Sequence, residues 1–320
     1  MTYDQDQALN ISGYEVDNKK LWDDFLSTSK NGVFLFNRDY MEYHSDRFED
    51  HSLLISRKGK LIGLFPANIK DGSLYSHGGL TFGGVISDIN MRTQIMMDLF
   101  QKVLQLCKDE NITKVIYKPV PYIYHSIPAD EDLYSLFRCN AKLIARNVTT
   151  SIYLPQKTDF DESRQRSIKK AIKNNLTVKQ NYDFNDFMQI LKEVLAERHG
   201  VAPVHSLEEI ELLAKRFPDN IRLFSSYKDN VMLAGVMVYE SKNVAHAQYI
   251  ANSNSGRDLG ALELVFDFLI NHQYSRKKYF DFGISTEQMG HFLNTGLIAH
   301  KEGFGARAVM HDIYELTVPE

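Results

Sequence analysis

The residues with the clearest chemical potential lie near the end of the chain, between positions 279 and 306. A short apolar strand breaks at Gly283, two residues after Asp281, and Lys301 follows just ahead of Phe304 in a Gly/Phe-rich loop. A lysine ammonium can stabilise the negative charge that develops on an oxygen atom during transfer of an acyl group. An exposed loop lysine without any function is the ordinary alternative. This stretch is therefore the first candidate for a reactive site.

The segment Asn252–Ala261 is the second candidate, because it joins a predicted strand to a predicted helix. A glycine-bearing turn at a helix N-terminus presents unpaired backbone N–H groups, which suit a phosphate or pyrophosphate. Gly256 and Gly260 fit this description, whereas Asp258 adds a negative charge that works against an anion. A plain strand-to-helix turn without a ligand is an equally open interpretation.

Several other polar residues have two open interpretations each. His199 and His205 flank a Gly-Val-Ala-Pro loop and are either bases or ligands, or simply solvated side chains. The basic helix Arg164–Lys173 either meets a phosphorylated substrate or forms a solvated face. The sequence has no nucleophile elbow, Walker loop, zinc-binding His pair or paired CxxC, and we therefore expect no metal.

Composition limits the class of protein. A length of 320 residues predicts two domains, and the polar, turn-rich stretch after Leu154 places them at 1–155 and 156–320. The net charge of −4 does not favour nucleic acid or an anionic membrane as a partner. The chain has two cysteines without metal spacing, no readable signal peptide and no apolar run of membrane-spanning length, so we expect a cytoplasmic protein.

The elements that must position these residues follow a repeated order. Each half of the chain reads as helical material, a hairpin, a longer helix, a short strand, a short helix and a last strand. Residues Leu136–Ala141 in the first half match His291–Gly296 in the second. We therefore predict an α/β (α+β) fold built from two copies of one unit.

Three motifs carry a resemblance to a known family. They are D-F-G at 281–283, N-x-G-L at 294–297 and K-x-x-F-G-A at 301–306, and together they resemble the FemABX-like branch of the GNAT-superfamily acyltransferases. The resemblance implies two tandem GNAT-like units, each a mixed, mostly antiparallel sheet flanked by helices, with the donor site in the second unit. It covers residues 164–313 by motif and residues 1–155 by architecture alone.

The resemblance also implies roles for individual residues. In GNAT enzymes the segment after the corresponding strand holds the pyrophosphate of coenzyme A. The implied catalytic residues are Lys301, which steadies phosphate or the oxyanion, and Tyr249, which handles the proton unless a nearby histidine does. The implied donor-binding residues are Arg257, Leu259, Gly260 and Ala261, and the implied substrate-binding residues are Asp281, Gly283, His300, Phe304 and Arg164.

The function that the resemblance implies is acyl transfer from acetyl-CoA or another acyl-CoA to an amine. The acceptor would be a small or nucleotide-linked sugar or peptide precursor of the cell surface. Aminoacyl transfer from a charged tRNA to a peptidoglycan-type precursor is the alternative, but residues 179–221 have no heptads for the coiled-coil arm that tRNA-using members often carry. A third possibility is a ligand-binding module without catalysis.

Overall fold

A computed structural model describes residues 9–319 of the chain, in which helices and strands alternate. The helices are α1 (Lys19–Thr28), α2 (Arg38–Met41), α3 (Thr93–Asp109), α4 (Glu131–Arg138), α5 (Glu162–Lys173), α6 (Phe184–His199), α7 (Leu207–Arg216), α8 (Asn254–Leu259), α9 (Ala261–Phe268) and α10 (Thr295–Glu302). The strands are β1 (Leu9–Gly13), β2 (Glu49–Asp50), β3 (Leu53–Arg57), β4 (Lys60–Phe65), β5 (Asn68–Lys70), β6 (Ser73–Tyr75), β7 (Ile86–Ser87), β8 (Lys114–Tyr117), β9 (Lys142–Tyr153), β10 (Thr177–Asn181), β11 (Ile221–Lys228), β12 (Val231–Glu240), β13 (Val244–Asn252), β14 (Tyr279–Ile284), β15 (Thr286–Glu287), β16 (Phe292–Leu293) and β17 (Arg307–Thr317).

The chain forms two compact units, whose boundaries fall inside β9 and β17. Unit 1 contains residues up to 147 together with 287–292 and the stretch from 310 onward, and unit 2 contains 148–286 and 293–309. Both units combine helices with mixed sheets in which antiparallel pairs predominate, so the predicted fold class is confirmed. The division at residue 155 stays a prediction about domains.

Unit 1 is built on two sheets. One has the antiparallel order β1-β3-β4-β7, and the other has the order β17-β8-β6-β5-β2, in which β6 and β8 are parallel. The predicted hairpin is present as β3 and β4, and Lys58 and Gly59 between them both have positive φ, as the tight turn requires. The core-facing stripe of α3 consists of Met96, Leu99, Phe100, Val103 and Cys107.

Unit 2 has one sheet in the order β10-β11-β12-β13-β14-β9. Only β13 and β14 are parallel among these pairs, because α8 and α9 connect them and return the chain to the same end of the sheet. Helix α9 is buried along Ala261–Phe266 and packs in the core of the unit with Phe280, Phe282 and Phe304. A capping box of Ser206 and Glu209 opens α7.

The structure differs from the sequence prediction in three places. The segment after β13 is not an open turn, because Asn254–Leu259 form α8. Lys301 does not lie in a loop but in the last turn of α10. The predicted residue match between the halves is wrong in register, since Leu136–Arg138 end α4 whereas His291–Asn294 precede α10. Among the described residues, no helix is both long and apolar enough to cross a membrane.

Candidate functional site in unit 2

A cavity of about 600 Å³ opens in unit 2. Its walls come from the end of α6, the end of β13, the α8–α9 segment, β14 and α10. The lining is mostly apolar with a few polar groups, which is typical of small-molecule sites. The lining residues are Val194, Leu195, Ile250, Asn252, Arg257, Leu262, Glu263, Phe266, Phe282, Asn294, Gly296, Leu297, His300 and Lys301.

The cavity opens where two strands part. The parallel strands β13 and β14 pair over three residues, from Val244 with Tyr279 to His246 with Asp281, although β13 runs on to Asn252. A register shift against β12 leaves Gln248 as an extra residue in β13, and such bulges bend a strand. The gap beyond His246 is therefore built into the sheet.

Lys301 lies in the cavity wall and is almost completely buried. Its Nζ donates to the carbonyl oxygens of Gly283 at 2.7 Å and Ile284 at 2.8 Å, and to the Ser285 hydroxyl at 2.9 Å. Burial lowers the pKa of Lys301 to about 8. All three donors of a protonated lysine are therefore engaged with the end of β14, where the side chain fixes the backbone.

Asp281 lies at the centre of the strand pairing and is completely buried. Its Oδ1 accepts hydrogen bonds from the hydroxyls of Thr149 and Ser151 on β9, and its Oδ2 is 2.6 Å from Nδ1 of His246 on β13. The predicted substrate contact of Asp281 is not available in this arrangement, because neighbouring strands surround the carboxylate. Gly283 has a positive φ of 77° and lies at the parting of the strands.

Glu263 supplies a carboxylate to the cavity from the first turn of α9. Its Oε1 accepts from Arg164 Nη1 at 2.9 Å and lies 3.5 Å from His300 Nε2. Burial opposes its ionisation, but hydrogen bonds from His300 and the backbone, with the charges of His300 and Arg164, outweigh burial and lower the pKa of Glu263. Two predicted substrate residues, Arg164 and His300, therefore meet at a carboxylate that the sequence analysis did not single out.

The predicted donor segment is tightly packed at its glycines. A Cβ at Gly256 would lie 2.5 Å from the Leu233 carbonyl oxygen, and one at Gly260 would lie 2.3 Å from the Ser167 carbonyl oxygen. These glycines therefore allow α8 and α9 to approach β12 and α5. Ala261 is buried and Leu259 half-buried, while Arg257 reaches the cavity and donates to Asn254.

Tyr249 lies outside the cavity lining. Its hydroxyl is 2.6 Å from Nδ1 of His205, and burial raises the pKa of Tyr249 to about 12, so the phenol stays protonated at neutral pH. His199 ends α6, and its side chain is outside the described part of the structure. Phe304 is completely buried against Phe266 and Phe282, which places it behind the cavity wall instead of at its surface.

Two residues with chemical potential were missed from the sequence, His246 and Glu263. His246 meets Asp281 only through the register of two parallel strands that are 35 positions apart in the chain. Glu263 meets Arg164 through packing of α9 on α5. Among the side chains that the structure describes, which exclude those of residues 198 and 199, no group of three or more His, Cys, Asp or Glu is placed to hold a metal ion.

Comparisons with known proteins agree with this architecture. FemX has a similar structure, with 13% identity over 96% of this chain and 97% of that chain and a TM-score of 0.69. L-PGS from Bacillus licheniformis matches with 8% identity over 97% and 94% and a TM-score of 0.59. A tandem GNAT protein from the clavulanic acid biosynthesis pathway matches with 11% identity over 98% and 99% and a TM-score of 0.53.

A search of curated proteins found no match. At these identities the structural comparisons establish the fold. The family comparison adds that residues 162–291 match the family model described as an acetyltransferase (GNAT) domain. The resemblance to the FemABX-like branch is therefore confirmed: residues 162–291 match a GNAT acetyltransferase domain, and the fold of the chain is similar to that of FemX.

Proposed function

We propose that the protein is an acyltransferase that moves an activated acyl group to an amine, with the acyl donor bound in the cavity of unit 2. The observation that carries this proposal is the parting of β13 and β14, which opens a cavity of about 600 Å³ lined by residues of the matched GNAT segment and of α10. An extended donor can enter such a gap with its acyl carbonyl between the two strands.

An acyl-CoA is the first donor to consider. The first turn of α9 faces the cavity with Leu262 and Glu263, and Arg257 supplies a cation at the same place. Backbone N–H groups of a helix start, together with an arginine, suit a pyrophosphate. In this proposal Lys301 acts indirectly, because it fixes the Gly283 and Ile284 carbonyls at the strand end. The acceptor would be an amine on a sugar or peptide precursor.

Aminoacyl transfer from a charged tRNA is the second candidate, and Glu263 is the feature of the cavity that favours it. Glu263 places an ionised carboxylate beside the start of α9. The backbone carbonyls of Leu233 and Ser167 lie against Gly256 and Gly260 and occupy the space beside these glycines. Both features work against a pyrophosphate. A carboxylate would instead attract the α-ammonium group of an aminoacyl donor. The similarity of fold to FemX is compatible with this candidate.

Ligand-induced thermal stabilisation tests the two candidates. A ligand that binds only the folded protein raises the midpoint of unfolding. We expect acetyl-CoA to raise the midpoint of the wild type and of Arg276→Ala, an exposed control, but to raise it less for Arg257→Ala, whose cation lines the cavity. Transfer of radiolabelled acetyl to an amine panel then tests catalysis directly.

Charged tRNA is the second ligand in the same experiment. A shift with alanyl-tRNA but not acetyl-CoA would select the second candidate, and its binding should weaken steeply with salt as phosphate contacts are lost. A shift with either ligand but no acyl transfer to any amine would favour a binding module without catalysis. No shift and no transfer with either donor would contradict the proposed function.

A further inference from the structure

We propose that His246 and Asp281 form the proton-accepting pair of the acyl transfer, in which His246 takes the proton from the attacking amine and Asp281 holds the ring. The inference rests on the proposed function and names the residues that act at its central step. It extends the sequence-based assignment, which gave this task to Tyr249 or a nearby histidine and did not name His246.

Asp281 is held as a rigid acceptor. Its carboxylate is completely buried and receives the Thr149 hydroxyl at 2.7 Å and the Ser151 hydroxyl at 2.6 Å on Oδ1. The backbone N–H of Gly283 approaches Oδ2 at 3.3 Å. Buried carboxylates need such donors, and these come from β9 and β14, so the orientation of the carboxylate is fixed by the sheet itself.

His246 is oriented by this carboxylate. Its Nδ1 is 2.6 Å from Asp281 Oδ2, a short distance of the kind that charge-assisted hydrogen bonds have. Since a carboxylate only accepts, Nδ1 carries the proton and Nε2 carries the lone pair that can bind another. The His246 side chain is 14% exposed whereas Asp281 is 0% exposed, so the histidine is the member of the pair that a solute can reach.

The pair lies where β13 and β14 part. His246 and Asp281 form the last residue pair of the parallel register, directly before the gap that opens the cavity. A Cβ on Gly283 would lie 3.5 Å from His246 Cε1, while the carbonyl of the same glycine receives Lys301 from the cavity wall. One residue therefore adjoins both the histidine ring and the wall of the donor cavity.

Two other histidines in unit 2 are less suited to this task. His205 Nδ1 contacts the Tyr249 hydroxyl, so a phenol and not a buried carboxylate lies at that nitrogen, and His205, like His246, is not part of the cavity lining itself. His300 lies 3.5 Å from Glu263, a longer distance, and Glu263 is already engaged by Arg164 at 2.9 Å. Only His246, among the histidines named here, combines a short bond to a completely buried carboxylate with a position at the strand opening.

In the proposed step, a proton passes from the attacking amine through His246 to the leaving group. The amine nitrogen attacks the acyl carbonyl carbon, a C–N bond forms, and the carbonyl oxygen takes up the negative charge. The proton from the amine nitrogen moves to His246 Nε2, and Asp281 stabilises the resulting imidazolium. When the tetrahedral intermediate collapses, the bond to the leaving group breaks, and His246 returns the proton to the departing thiolate or ribose oxygen.

The test compares His246→Gln with the exposed control His272→Gln, using acetyl-CoA or alanyl-tRNA, whichever the wild type binds. The acceptors are ethylamine, which is protonated at neutral pH, and hydroxylamine, which is not. We expect His246→Gln to lower kcat with ethylamine by about 100-fold or more, with an unchanged donor-induced thermal shift. The loss with hydroxylamine should be smaller, about tenfold, because that nucleophile is already neutral and needs a base only for the proton released when it attacks.

Asp281→Asn tests the positioning role. Because the two residues act as a unit, the double variant with His246→Gln should lose no more kcat than His246→Gln alone, whereas two independent structural effects would multiply. Wild-type kcat in His246→Gln with both nucleophiles overturns the inference, even if Asp281→Asn fails to fold. A wild type that neither binds nor uses either donor overturns the proposed function and this inference together.

Discussion

Each unit contains one parallel strand pair joined through a helix, and the two pairs end differently. In unit 2, β13 and β14 part after His246 and Asp281, and a cavity of about 600 Å³ follows. In unit 1, β6 and β8 pair from Ser73 to Tyr75, and the space that follows is filled by the chain itself.

A glycine-rich segment fills that space in unit 1. Ser76 N–H donates to the Ile116 carbonyl, and Gly83 N–H donates to the Lys118 carbonyl at 2.8 Å. The Tyr117 hydroxyl accepts from Val85 N–H and donates to Asp132, which is buried. The cavity recorded around Tyr117 has only about 10 Å³.

The same arrangement, a parallel strand pair connected through a helix, is therefore followed by different surroundings in the two units. Where two parallel strands diverge, their backbone N–H and C=O groups need other hydrogen-bond partners, and the space between the strands must be filled. In unit 1 the backbone N–H groups of Ser76 and Gly83 satisfy the strand end. Unit 2 leaves volume for a ligand, and Lys301 satisfies its strand end. On this basis unit 2 is the proposed reacting unit.

The largest effect is expected from reopening the closed gap in unit 1. A Cβ at Gly83 would lie 1.9 Å from the Ser76 carbonyl oxygen, so Gly83→Val forces the backbone of the segment apart. We expect the free energy of unfolding to fall by about 3 kcal/mol or more, measured by urea denaturation. Gly13→Ala is the control, since a Cβ there meets nothing within 4 Å. Equal free energies of unfolding for the two variants would contradict the conclusion that the glycine-rich segment fills this gap tightly.

Filling the open gap in unit 2 should give the next largest effect. Gly296 lines the cavity, and a Cβ there would contact only Asn294, at 3.9 Å, so Gly296→Phe has room to enter the space. We expect donor binding to weaken by about tenfold or more, which corresponds to about 1.4 kcal/mol, without loss of stability. Isothermal titration measures it. Gly13→Phe in unit 1 should bind the donor normally, and a Gly296→Phe variant that does so too would place the donor elsewhere.

Lys301 in unit 2 and Lys118 in unit 1 are buried lysines, and both should make the free energy of unfolding depend on pH in the same direction. Burial lowers the pKa of Lys301 and of Lys118 from 10.5 to about 8. Between pH 8 and 10.5 the unfolded chain binds more protons than the folded one, so the free energy of unfolding rises with pH, whereas below pH 8 both forms are protonated and the contribution is constant.

Denaturation at a series of pH values tests this dependence. Lys301→Met and Lys118→Met should each reduce the rise between pH 8 and 10.5, and the double variant should reduce it further. Lys20→Met is a suitable control, because that side chain is exposed. A wild-type slope in Lys301→Met would mean that the Lys301 ammonium is not deprotonated on folding at these pH values.

The smallest effect is expected at the start of α10, which carries the cavity wall. Asn294 accepts from Leu297 N–H at 3.0 Å, and loss of such a cap costs about 1 kcal/mol. In unit 1, Asp130 precedes α4 without a capping hydrogen bond from its side chain in the described structure. Asn294→Ala should therefore lower the midpoint of thermal unfolding more than Asp130→Ala. The reverse order would show that the cap does not hold α10.

More of the fold than of the site could be predicted from the sequence. Periodicity and turn chemistry are local, so the hairpin and the longer helix of the first half, which are β3–β4 and α3, could be predicted. The site depends on which strands become neighbours. Asp281 was found through a local motif, but its partner His246 follows only from the parallel register, and the packing of Gly260 against Ser167 follows only from helix contacts.

The interleaving of the units has a consequence for the order of folding. Residues 314–317 of β17 pair with β8 in unit 1, yet they follow every residue of unit 2 in the chain. During synthesis β8 must therefore wait with an open edge until unit 2 has been made, and pairing over such a separation in sequence is slow. The single tryptophan, Trp22, is buried in unit 1. Its fluorescence should therefore follow the completion of unit 1, which we expect to be slower than the folding of unit 2.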